Sequence, residues 1–198
     1  MSQTTSKKRR KKKGLKDYLT EYSKGSEIAV RLHQYKSEPT PSYMHIAFRG
    51  PVAATPCFKN NRVKGIWLPA NVTARLKIMD TLFEEWVLTR SNRPSFEDEQ
   101  LFMVCRFASK GTRRGTNFDS DNALSTIKDW LEPNIKNGRN RGWGVGLTEN
   151  DRLIRGYSET KDKTEDTAHI TEIAIHRYGE VQHYASNFIK NIIDDRIP

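Results

Sequence analysis

Asn117-Phe118-Asp119-Ser120-Asp121-Asn122 runs directly into Ala123-Leu124-Ser125-Thr126-Ile127-Lys128-Asp129-Trp130-Leu131. The spacing predicts a helix from about Asp121, with Leu124, Ile127 and Leu131 at i, i+3 and i+7 as its buried stripe. Asp121 and Lys128 are seven residues apart. At roughly 100° per residue they lie within ~20° of one azimuth, at the border of that stripe. An acid at a helix start with a base two turns along, at the edge of the core, suits a site. Aspartate is also a favoured helix N-cap, so one of Asp119 and Asp121 can be spent on capping. Two are more than a cap needs, and a third carboxylate further along strengthens the chemical reading.

Upstream of this stretch, Met44, Ile46 and Phe48 alternate as a core strand that ends at Gly50-Pro51. Residues 52–65 read as irregular. Val72, Leu76, Met79, Phe83 and Trp86 then keep helical spacing from a start near Pro69-Ala70. Leu101–Phe107 is an apolar run fit for a buried strand. Lys110-Gly111-Thr112-Arg113-Arg114-Gly115-Thr116 follows as a basic loop that delivers the chain to Asp119. Cations beside carboxylates either pair with them or hold substrate phosphates.

Downstream, Pro133 breaks the helical pattern, and Asn137–Gly144 reads as a second basic, glycine-rich loop carrying Arg139, Arg141 and Trp143. Trp143 is either a half-buried anchor, the commoner use of tryptophan, or a platform for an exposed base. Asp151 is the third acid, just ahead of a strand starting near Leu153. A last strand is expected at about His169–His176, and Val181, Ala185, Phe188 and Ile192 repeat at the spacing of a closing helix.

Near the start, Leu15, Tyr18, Leu19 and Tyr22 have helical spacing with a stop at Gly25, and Ile28, Val30 and Leu32 alternate. The segment from Ser37 to Ser42, with Pro39 and Pro41, reads as a linker and a domain boundary. The 198 residues suit one domain with extensions. The net charge is +10, of which Lys7–Lys13 supplies seven, leaving +3 elsewhere. Such a block repels itself, so a disordered tail is expected. Its partner is either a polyanion, bound with release of counterions, or a nuclear-import receptor, or it is a solubility tail.

No apolar run is long enough for a membrane span, no secretory h-region follows the basic start, and Cys57 and Cys105 form no CxxC. A cytoplasmic protein with two reduced thiols is expected. His169, His176 and His183 are spaced by seven, but no Cys or His stands at zinc-ligand spacing beside them. The chain has no P-loop, no GxGxxG and no nucleophile elbow, so no small-molecule cofactor is expected.

The order of these features resembles the RusA family of Holliday junction resolvases of bacteria and bacteriophages, over roughly residues 42–178. The family signature is Asp-x-Asp-Asn opening a helix with a third Asp about one hairpin later. Asp119, Asp121-Asn122 and Asp151 stand in those places, with Glu149 as an auxiliary acid. The family lysine four residues after the second aspartate is Ser125 here, and Lys128 lies a turn further along the same face.

The resemblance implies an α+β fold in which a mixed sheet packs on helices. Residues 1–41 would be a basic flexible extension, 42–180 the endonuclease domain and 181–198 a docked helix. It implies a homodimeric crossover junction endodeoxyribonuclease of DNA recombination and repair, in a bacterial or phage-infected cytoplasm. Asp119, Asp121 and Asp151 would hold Mg²⁺, with Mn²⁺ as a substitute, because converging carboxylates repel unless a hard cation joins them. Lys128 would complete the catalytic set. Lys110, Arg113, Arg114, Arg139, Arg141 and Trp143 are the candidates for contact with branched DNA. The alternative is a non-catalytic nucleic-acid-binding module with a degenerate site.

Overall fold

The computed structural model describes residues 13–33, 43–53, 68–90, 93–96, 98–110, 120–136, 138–164, 168–179 and 181, with the side chains of 109–110, 120–122, 136 and 161–164 excepted. Among these, the helices are α1 (Leu15–Ser23), α2 (Ala70–Leu88) and α3 (Ser120–Leu131). The strands are β1 (Glu27–His33), β2 (Tyr43–Arg49), β3 (Leu101–Lys110), β4 (Pro133–Lys136), β5 (Arg139–Val145), β6 (Ile154–Thr164) and β7 (Ile170–Arg177). The fold is α+β. One mixed sheet has the order β1-β2-β7-β3-β6, and β4 and β5 form a separate hairpin. Every pairing in the large sheet is antiparallel except β3 with β6, which is parallel. The crossover joining that parallel pair contains α3 and the hairpin, so the mid-chain acids travel with it.

Strand alternation selects the core face. Met44, Ile46 and Phe48 of β2, Ile173 and Ile175 of β7, and Leu101, Met103 and Cys105 of β3 are all fully buried. The other face carries polar pairs, among them Arg106 Nη1 to Glu172 Oε2 at 2.9 Å. Val72, Leu76, Met79 and Phe83 of α2 bury one stripe, and Leu124, Ile127 and Leu131 of α3 bury theirs as the spacing predicts. Trp130 joins the two helices to the sheet. Its ring meets Phe48 and Phe83 edge-on, with centroids 5.5 and 6.0 Å away.

Two expectations change. Residues 15–33 belong to the folded body rather than to an extension ending at residue 41. All seven residues of β1 pair with β2, and α1 packs on α2 with Tyr22 buried beneath the Arg75 guanidinium, 4.9 Å from the ring centroid. The proline-rich segment therefore joins two antiparallel neighbours, a connection whose composition matches that of an interdomain linker. Next, residues 138–144 of the expected glycine-rich loop belong to the β4–β5 hairpin, with Gly138 at φ 71° and β5 starting at Arg139. Asp151 stands just ahead of β6 as expected, in a 3-10 turn at Asp151–Leu153. The basic tail through Lys12, the linker at 37–42 and most of the expected closing helix lie outside the described residues. Among the described residues no helix is long and apolar enough to cross a membrane.

Candidate metal centre

Pro133 ends α3 because its ring and missing N–H do not fit a helix interior. The last helical carbonyls then need outside donors. The chain returning from the hairpin supplies them. Gly146 N donates to Glu132 O (3.1 Å), and Leu147 N and Thr148 N donate to Leu131 O (2.8 and 3.2 Å). This return brings Asp151 to the C-terminal end of α3. Asn150 then caps the 3-10 turn, its Oδ1 accepting from Arg152 N at 3.0 Å.

Asp129, Glu132 and Asp151 converge there, each offering a carboxylate oxygen within 4.8 Å of the others. Three carboxylates at that spacing can hold a metal ion, and an oxygen-only donor set suits a hard divalent cation such as Mg²⁺ or Mn²⁺. Glu132 is fully buried. Its Oε1 accepts from Asp151 N at 2.9 Å and its Oε2 from Arg141 Nη1 at 3.2 Å. Arg141 Nη2 also donates to the carbonyls of Asp129 (3.0 Å) and Pro133 (2.6 Å). The Arg141 guanidinium lies 4.4 Å from the centroid of the Trp143 ring.

Lys128 stands beside this cluster, its Nζ 4.2 Å from the centroid of the Tyr157 ring. Desolvation pulls its pKa below the usual lysine value, and the charge of Asp151 opposes that shift. On the other side of the hairpin, Asp80 of α2 accepts from Trp130 Nε1 (2.6 Å) and Gly144 N (2.9 Å). Burial pushes its pKa up to about 6 in spite of those two bonds.

Of the residues marked by the sequence, Asp151 and Lys128 come together. Asp119, Arg113 and Arg114 lie outside the described residues, as do the side chains of Asp121 and Lys110. Asp121 belongs to the first turn of α3, eight residues or about 12 Å along the axis from Asp129. Asp121, at the start of α3, and the acids at its end thus occupy opposite ends of the helix. Arg139 is exposed at the start of β5, Arg141 points inward to Glu132, and Trp143 is 8% exposed.

Sequence reasoning missed Asp129 and Glu132. Their signal was present, since acids at i and i+3, one in the last turn of α3 and one just past it, oppose the negative end of the helix dipole. Such a pair implies a compensating cation, which Arg141 supplies to Glu132, while Lys128 interacts with the charge of Asp151. Compared with protein-family models, curated proteins and solved structures, the chain has no match.

Proposed function

We propose that this chain is a divalent-metal-dependent endonuclease that hydrolyses phosphodiester bonds in four-way DNA junctions. The observation that carries the proposal is the meeting of Asp151 with the carboxylates at the end of α3, beside the half-buried Lys128. The Asp119-x-Asp121-Asn122 signature and the basic composition of the chain support the same reading.

Asp151 and Asp129 would hold the ion. When bound, a Mg²⁺ or Mn²⁺ ion supplies Lewis acidity toward a phosphate oxygen and neutralises developing negative charge. Lys128 adds a positive charge in a partly desolvated place, where it acts more strongly on a phosphate than in water. Its stacking on Tyr157 limits the positions that charge can take. Paired cuts on opposite strands would come from two copies of the chain, as the family resemblance implies. Lys7–Lys13 adds affinity that is blind to sequence.

One observation favours a second reading, a non-catalytic DNA-binding module. Lys128 and Arg141 already offset two of the three carboxylate charges, and Ser125 stands where the family has a lysine. A labelled four-way junction and a linear duplex of the same sequence, incubated with and without Mg²⁺, separate the two. Metal-dependent paired nicks on the junction alone are expected. Asp151→Asn should reduce their rate at least a hundredfold, in the range of other losses of transition-state stabilisation, while junction binding persists. Binding without cutting in either Mg²⁺ or Mn²⁺ would establish the module.

A further inference from the structure

We infer that Arg141 and Glu132 are positioning residues for Asp151, and that Arg141 is not a DNA contact. The inference deepens the reading of Asp151 as a site residue and rests on it. Both oxygens of Glu132 are engaged, one with the backbone N–H of Asp151 at 2.9 Å and one with Arg141 at 3.2 Å. Glu132 is fully buried and the Arg141 side chain is 16% exposed. A carboxylate out of water keeps its charge only with a partner held in good geometry. Arg141 provides that partner, and its planar fork also ties down the Asp129 and Pro133 carbonyls. Trp143 forms the flat surface that fixes the guanidinium plane. The hairpin thus sets the place of Glu132, and Glu132 sets the place at which Asp151 leaves the 3-10 turn. Groups that orient a metal-binding carboxylate commonly change affinity or rate by roughly 10- to 100-fold when removed.

The variants Arg141→Met, Arg141→Lys, Glu132→Gln and the double Glu132→Gln/Arg141→Met test this on the full chain. Three quantities are read: amide hydrogen exchange at Asp151, junction affinity without metal, and kcat with the half-saturating Mg²⁺ concentration. Arg141→Met and Glu132→Gln should speed exchange at Asp151 and lower kcat about 10- to 100-fold, with junction affinity unchanged within about twofold. Arg141→Lys keeps the charge without the fork and should fall between these and the wild type. The double variant should recover part of the loss, because the amide oxygen of Gln still accepts from Asp151 N and no unpaired charge remains, while the Asp129 and Pro133 carbonyls still lack the fork. If either single variant fails to fold, Arg141→Lys and the double variant carry the comparison.

The inference is overturned if removing the Arg141 charge weakens junction binding several-fold with a shallower salt dependence, equally in the single and double variants, while exchange at Asp151 is unchanged. Should the wild type cut no junction, the proposed function fails. Exchange at Asp151 then still decides the positioning role.

Discussion

Asp80 lies largely out of water between two donors, so it takes up a proton more readily in the folded chain than in the unfolded one; its pKa rises from 3.8 to about 6. The sign of the linkage follows. Its contribution to stability is fully present below about pH 4 and is lost as pH rises through about 6, a change on the order of 2–3 kcal/mol. Urea unfolding of the wild type and Asp80→Asn between pH 4 and 8 should show the wild type losing stability relative to the variant across that interval. A constant difference would mean that Asp80 titrates alike in both states. Asp151 and Lys128 were legible in the sequence because aspartate ahead of a strand and lysine on a helix face are local patterns. Asp129 and Glu132 were not, because their significance depends on which segment returns to the end of α3.

At the scale of elements, α2, α3, β2 and β3 were legible because periodicity reports burial directly. The β4–β5 hairpin was not. Its glycines look like loop punctuation, but Gly144 serves close approach. A Cβ there would lie 2.6 Å from Glu132 O and 3.1 Å from Asn134 N, and φ is +123°. Glycine inside a strand often marks such a contact between backbones. Gly144→Ala should therefore destabilise the fold by about 2 kcal/mol or more, since steric overlap adds to an unfavourable φ. It should also disturb the bond from Gly144 N to Asp80. A thermal or urea midpoint within error of the wild type would show that the hairpin shifts to accept the methyl group.

For the whole molecule, the α+β class and the mixed sheet were legible from the order of elements and the resemblance it carries, whereas the N-terminal border was not, because a proline-rich connection within a sheet and a linker between domains have the same composition. The border matters for any test of the basic tail. Lys13 pairs with Glu21 of α1 at 2.6 Å, so a chain lacking residues 1–12 keeps that contact and its helix. That truncation should bind DNA more weakly and flatten the dependence of log K on log salt by several units, since about 0.9 counterions are released per phosphate neutralised. It should leave the rate of cutting at saturating junction unchanged. An unaltered salt slope would show that the tail does not touch DNA.

The central position of β7 also governs the order of assembly during synthesis. The strand lies between β2 and β3 yet is the last of the described strands to be made. Until Arg177 leaves the ribosome, two hydrophobic strands wait without their shared neighbour, although the β1–β2 and β4–β5 pairs can already form. Such topologies fold slowly and expose strand edges meanwhile, so a nascent chain of this protein presents the facing edges of β2 and β3 unpaired until β7 arrives.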